Sequence, residues 1–313
     1  MKRYLVQRIL SSIPVMLIVA VLTFSLIHLA PGDPAALMAG IEAQEAEIEE
    51  IRERLGLNRP LPVQLGIWFK DLFQGDMGTS LHSKFAIRTL ISQRLPATLS
   101  VGVFAQVVAI VVGVPLGVLA AWKANSWIDR SAMVFAVLAF SIPSFWLAYN
   151  LIFLFAVKLD WLPAIGYSPL SEGVFPWLRS LTLPAVSVGL IIAGLITRIT
   201  RATLLEVLRE DYVRTARAKG LAERRVLFRH ALKNAAVPIM TVIGLGMAAL
   251  ITGLVVTETV FAIPGIGRLV VDSVQRRDYP VIQGVMLLVS LGYVMINLLI
   301  DLTYSFFDPR IRL

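Results

Sequence analysis

The residues able to do chemistry are few, and their spacing excludes most of it. His28, His82 and His230 are separated by long stretches of chain, so none pairs with a second ligand at metal-binding spacing. There is no Gly-x-x-x-x-Gly-Lys-Ser/Thr phosphate loop, and no Gly-Lys dipeptide occurs anywhere. Neither a Gly-x-Ser-x-Gly elbow nor a His-Glu-x-x-His pair is present. Cysteine is absent, which removes disulfides and thiolate metal sites. Two carboxylates lie close to apolar stretches: Asp301, with Asn297 one turn earlier, and Glu258. Both sit near the end of a stretch, where a charge costs far less than the about 2.5–3.5 kcal/mol it costs at a membrane centre. This inventory supports neither a nucleophile–base enzyme nor an ion-coupled carrier.

A recognition segment remains. Tyr212, Val213, Arg214, Thr215, Ala216, Arg217, Ala218 and Lys219 fit two helical turns, with Glu210 and Asp211 at the end where a helix favours negative charge. Gly220 suits the left-handed position after a helix, and Leu221 supplies the apolar contact of a Schellman-type stop. A second, basic helix is expected over 222–233, carrying Arg224, Arg225, Arg229 and Lys233. Two readings compete: a solvated basic stretch facing lipid headgroups, and a docking helix for another protein. Small residues (Thr215, Ala216, Ala218), one aromatic (Tyr212) and a sharp stop favour docking, because small side chains let a helix lie deep in a partner's groove.

The elements that must hold this segment follow from composition. Of 313 residues, 57% are hydrophobic and only 16% are charged, and the mean hydropathy is +0.76. A soluble domain carries about a quarter charged residues, so the excess apolar surface must face lipid, which helices allow. Six stretches are long enough to cross a bilayer: 9–29, 98–122, 132–157, 181–199, 235–257 and 281–304. The first is too long for the apolar part of a cleaved signal and reads as a retained span. Ser141-Ile142-Pro143-Ser144 predicts a kink in the third. Pro96, Pro184, Pro238 and Pro280 are expected near the starts of spans. With the N-terminus inside, segments 1–8, 123–131, 198–234 and 305–313 hold three, two, ten and two Lys or Arg residues, 17 of the 29. The positive-inside rule then puts both termini in the cytoplasm. The net charge of +8 belongs to these flanks and does not indicate nucleic acid.

Segment 30–95 is patterned as a helical cap on the outer surface, a form compatible with contact to an external partner. Ile41, Ile48, Ile51 and Leu55 recur at helical spacing beside Glu42, Glu45, Glu49 and Glu53, and Gly56 closes the run. A second helix is expected over 63–73, a turn at Gly75-Asp76-Met77-Gly78, and an amphipathic stretch over 84–95. Trp161 and Trp177 fall where interfacial belts form. Pro264, Gly265 and Gly267 open a short amphipathic run to Arg276 that is interfacial or re-entrant.

Along the chain stand Pro31-Gly32-Asp33-Pro34, Leu55-Gly56-Leu57-Asn58-Arg59-Pro60-Leu61, Gly75-Asp76-Met77-Gly78, Arg94-Leu95-Pro96-Ala97-Thr98, segment 211–221, Pro264-Gly265-Ile266-Gly267, Arg277-Asp278-Tyr279-Pro280 and Asp308-Pro309-Arg310. In this order and spacing, these motifs resemble the inner-membrane permease subunits of binding-protein-dependent ABC importers, in the dipeptide/oligopeptide branch. They extend over nearly the whole chain. Against the family's general cytoplasmic signature (Glu-Ala-Ala, three residues, Gly, nine residues, Ile-x-Leu-Pro), only Ala216 and Gly220 match, since Arg214 and Thr215 fill the first places and Pro238 falls late. That departure resembles the peptide branch. The resemblance implies an all-α integral membrane fold of about six transmembrane helices. It divides the chain into 1–95, a span plus the outer segment, and 96–313, a five-span core with a coupling loop at 198–234. Residues 212–221 would form a coupling helix seated in a cytoplasmic ATPase. The implied partners are a second homologous permease, one or two ABC ATPase subunits, an extracytoplasmic substrate-binding protein and membrane lipid. ATP and Mg would be bound by the ATPase and no cofactor by this chain. The implied location is a prokaryotic inner membrane, and the implied cargo is a dipeptide, an oligopeptide, or a small solute such as glutathione or a nickel complex, with substrate contacts unassigned. The alternative is an ATPase-independent carrier or channel, which calls for intramembrane charges and inverted repeats that the sequence lacks.

Overall fold

The computed structural model describes residues 2–29, 33–39, 43–54 and 56–307; the expectations at Pro31, Gly32, Ile41, Glu42, Leu55 and Asp308-Pro309-Arg310 lie outside these. Among the described residues the chain is helical apart from connecting turns and one isolated antiparallel bridge between Thr79 and Ala86. The elements are α1 (Lys2–Leu29), α2 (Pro34–Ala39), α3 (Glu45–Arg54), α4 (Leu61–Phe73), α5 (Ile87–Trp122), α6 (Trp127–Ser141), α7 (Ser144–Leu151), α8 (Val174–Val207), α9 (Asp211–Ala218), α10 (Glu223–Arg225), α11 (Leu232–Val260), α12 (Ile266–Gln275) and α13 (Tyr279–Phe307). A π-helical turn, Ile152–Lys158, extends α7, and another, Val226–Ala231, joins α10 to α11. Among the described residues, five helices are long and apolar enough to cross a membrane: Val6–Leu29, Ile87–Trp122, Val174–Val207, Glu223–Val260 and Tyr279–Thr303.

The sixth expected span is a broken pair, Trp127–Ser141 followed by Ser144–Lys158, bent by 104°. Sequence predicts a kink here, and the bend is far sharper than a proline kink. Ile142 (φ −81°, ψ 127°) and Pro143 (φ −61°, ψ 136°) both leave the helical region. A residue before proline is pushed to extended backbone, and proline has no N–H to continue the ladder. Several helices also begin earlier than expected. The amphipathic stretch expected over 84–95 is helical only from Ile87 and continues without a break into α5, a helix of 36 residues, so Pro96 is interior. Pro184 and Pro238 are likewise interior to α8 and α11, while Pro280 does sit at a helix start.

The chain packs as two compact units. One comprises Met1–Leu5, Ala97–Pro264 and Met295–Leu313. Its central helix is α8, which buries Leu181, Ala185, Val188, Ile192, Ala193, Ile196 and Leu204. Gly113 and Gly117, four residues apart on α5, let the two backbones touch: a Cβ on Gly113 would stand 2.9 Å from the Ala193 carbonyl oxygen, and one on Gly117 2.7 Å from that of Thr197. This small-x-x-x-small spacing is the usual device for close helix packing in lipid, where apolar burial alone supplies no drive.

The other unit comprises Val6–Pro96 and Gly265–Val294. Its core joins Ile87, Ile91, Ile266, Leu269, Val281 and Val285. Asp278, 4% exposed, accepts hydrogen bonds from Ser80 Oγ (2.6 Å) and the Leu81 N–H (3.2 Å), stapling the 79–83 loop to the head of α13. Gln283 donates to the carbonyls of Thr23 (3.2 Å) and Phe24 (3.3 Å) on α1. Two of the helices expected in segment 30–95 are present as α3 and α4. Gly56 (φ +65°) closes the first with bonds from Gly56 N–H to Glu53 and from Leu57 N–H to Arg52.

Candidate functional site

The segment singled out by sequence forms α9, two turns between α8 and α10. Glu210, in extended backbone, stands at its N-cap, and Asp211 places a carboxylate in the first turn. The stop is a Schellman motif: Gly220 N–H donates to the Arg217 carbonyl (2.9 Å) and Leu221 N–H to that of Ala216 (3.3 Å), with Gly220 at φ +77°.

One face of α9 is packed within the chain. Val213 and Ala216 are buried against Val226, with Leu208 and Leu221 closing a small apolar knot. Arg217 pairs with Glu223 (2.6 Å) and reaches the Leu208 carbonyl at the end of α8 (3.4 Å). Tyr212 Oη accepts from Asn234 Nδ2 (3.0 Å), which ties α9 to α11. The opposite face is open: Arg214, Thr215, Ala218, Lys219 and Gly220 are exposed, and Tyr212 is 42% exposed. Of the three small residues, Thr215 and Ala218 lie on the open face and Ala216 on the packed one. The basic helix expected over 222–233 continues through the π turn into α11, so Arg224, Arg225, Phe228, Arg229 and Lys233 ride exposed on the base of a span.

At the far end of α11, Pro264 follows another Schellman stop, with Ala262 at φ +52° and Ile263 N–H donating to the Glu258 carbonyl (2.8 Å). Gly265 is the extended N-cap of α12, and Gly267 is buried in its first turn. Ile266, Leu269 and Val270 pack into the core of their unit as the amphipathic pattern implies, whereas Val274 is 54% exposed. Glu258 is fully buried and accepts from Thr98 Oγ1 (2.6 Å); Asp301 is half-buried on α13.

Sequence reasoning missed two arrangements. The Arg201 guanidinium forms a two-pronged ion pair with Asp129, with Nη2 at 2.7 Å from Oδ2 and Nε on Oδ1. The two residues are 72 apart in sequence, and the only signal was Ser126 preceding Asp129 as a helix cap. Gln106, in mid-span on α5, is buried, with its Oε1 unpartnered and its Nε2 at 3.4 Å from the Ile243 carbonyl.

Among the described residues the architecture is one of long apolar helices, with the short helix α9 between α8 and α10 in the chain. The chain belongs to the family described as binding-protein-dependent transport system inner membrane component, whose model matches residues 113–313; the family's N-terminal model matches residues 1–102. It is 50% identical to a probable peptide ABC transporter permease protein, y4tP, of Sinorhizobium fredii, over 99% of each chain. It is 43% identical to the dipeptide transport system permease protein DppB of Alkalihalophilus pseudofirmus over the full length of both. To the glutathione transport system permease protein GsiC of Pectobacterium atrosepticum it is 44% identical, over 100% of this chain and 99% of that one. Among solved structures it is similar to a chain of the MetNI methionine ABC transporter in an inward-facing conformation, with a TM-score of 0.60 and 19% identity, covering 70% of this chain and 96% of that one. It is thus a multi-pass inner-membrane permease component, not an enzyme.

Proposed function

We propose that this chain forms half of the translocation pathway of an ATP-driven importer for peptides, and that α9 is the helix through which a cytoplasmic ATPase moves it. The peptide assignment rests on the full-length likeness to peptide, dipeptide and glutathione permeases. The coupling role rests on one observation: α9 is fastened on one face to α8, α10 and α11 while its other face is open. A helix held this way passes on a push instead of absorbing it. Both termini, the basic loops and α9 are assigned to the cytoplasm. Segment 1–95 is assigned to the first span and outer cap, and 96–313 to the pathway core, with Pro264, Gly265 and Gly267 as the outer turn. The partners are a second permease of the same family, one or two ATPase subunits that bind ATP and Mg, an external binding protein that delivers the peptide, and lipid. ATP binding and hydrolysis then shift the balance between two access states by their different affinities for each.

Reconstitution of all components in proteoliposomes should give ATP-dependent accumulation of a radiolabelled dipeptide, and omission of the ATPase should abolish it. Accumulation driven by this chain alone would refute the proposal in favour of a self-sufficient carrier.

A further inference from the structure

We infer that Asp129 and Arg201 are positioning residues for energy coupling: their ion pair makes α6 and α8 move as one body when α9 is displaced. This rests on the reading of α9 as the coupling helix. Arg201 lies six residues before the end of α8, and the Leu208 carbonyl just beyond that end accepts from Arg217 of α9. The apolar knot of Val213, Ala216, Val226, Leu208 and Leu221 fixes α9 to the same end of α8. Force applied to α9 therefore arrives on α8 within a turn or two of Arg201.

α6 lies packed along α8, and two contacts on that seam stand out. Higher on α8, Gly194 brings the helices into backbone contact: a Cβ there would stand 2.8 Å from the Ala136 carbonyl oxygen and 3.0 Å from the Ala139 Cβ. Seven residues further along α8, about 10 Å at helical rise, Arg201 grips Asp129. Packing of small apolar side chains such as Ala136 and Ala139 resists separation of the helices but leaves their shift along one another less restrained; the ion pair at Arg201 opposes that shift. The pair suits this task because its geometry is fixed. Asp129 has a side chain 5% exposed, and its Oδ2 also accepts from the Asn125 N–H (2.9 Å), so the carboxylate orders the turn before α6. A guanidinium fork meeting a carboxylate at two points is directional in a way that apolar packing is not. The pair is not needed to explain the stability of the fold, since burying an ion pair brings little net stabilisation.

The test uses the complete importer in proteoliposomes, with ATP hydrolysis and uptake of a radiolabelled dipeptide measured together. D129N/R201Q keeps the shape and removes the charges. It should retain the ATPase subunits and hydrolyse ATP, while dipeptide taken up per ATP falls about five-fold or more, the range of an ordinary coupling term. D129L/R201M, which fills the space with apolar atoms, should show the same fall in uptake per ATP and serves as the test where D129N/R201Q folds poorly. Because the native chain has no cysteine, D129C/R201C can be bridged by a short bis-thiosulfonate; bridging should restore uptake per ATP, and reduction should abolish it again. An unchanged ratio, a parallel fall of hydrolysis and uptake, or failure of all three variants to assemble would overturn the inference. T215W on the open face of α9 tests the underlying reading separately. Loss of the ATPase subunits on purification supports docking there, and full retention with normal uptake refutes docking whatever is found at Asp129 and Arg201.

Discussion

Gly220 shows how one residue's conformation can matter beyond the stability of its own chain. Its φ of +77° is one that L side chains rarely adopt, yet a Cβ built there meets nothing within 4 Å. Within this chain, then, the constraint is conformational and not steric. Forcing a side chain into the left-handed region costs about 1–2 kcal/mol, more for a β-branched residue and less for asparagine. Gly220→Val should reopen the Schellman stop and redirect Leu221, leaving insertion intact while uptake per ATP drops. Gly220→Asn separates the two ways in which glycine could be needed. If conformation is the requirement, the asparagine variant keeps most of the coupling. If a bound ATPase presses against the glycine, asparagine fails as badly as valine. Normal transport by Gly220→Val would remove α9 from the coupling path.

For the elements, the decisive contacts are those between helix backbones. A Cβ on Gly117 would fall 2.6 Å from Thr200 Cβ as well as 2.7 Å from the Thr197 carbonyl, and neither backbone can yield without separating α5 from α8. Gly117→Val should therefore lower the melting temperature of the detergent-solubilised protein by several degrees, in line with the about 1–3 kcal/mol typical of overpacking. Gly66→Ala on α4, where nothing lies within 4 Å, should leave it unchanged or slightly raised. Equal melting temperatures for both variants would show that α5 and α8 do not pack through Gly117. Much of this level was legible in the sequence. Apolar stretches of about twenty residues can hide only in lipid or a large core, so the spans were readable, as were the Gly56 and Gly220 stops, because glycine advertises a left-handed turn. What escaped was whatever the local pattern does not encode. The merger of 84–95 into α5 crosses a proline that usually marks a boundary. The stops at Ala262 (φ +52°) and Arg277 (φ +57°) use residues that do not announce one. Asp129 with Arg201, and Ser80 with Asp278, join residues 72 and 198 positions apart, and no periodicity reports such pairs.

The whole molecule turns on how the bent pair α6–α7 meets the membrane, because every later helix inherits its orientation from that answer. Five straight spans would place the two ends of the chain on opposite sides; the pair bent by 104° restores an even number only if it crosses. The positive-inside count favours crossing, since the loop at 198–234 carries ten Lys or Arg residues and would otherwise face outward. The absence of native cysteine makes this measurable with single introduced thiols and a membrane-impermeant maleimide. Asn125 precedes α6, Glu172 follows α7, and Glu223 begins the base of α11; all three are exposed. If the pair crosses, Glu172→Cys is labelled in intact spheroplasts, while Asn125→Cys and Glu223→Cys react only in inverted vesicles. If the pair is re-entrant, Asn125→Cys and Glu172→Cys share one side and Glu223→Cys takes the other. Labelling of Glu223→Cys from outside would be decisive in a further way, for it would put α9 beyond the reach of any cytoplasmic ATPase and end the proposal that the helix is driven by one.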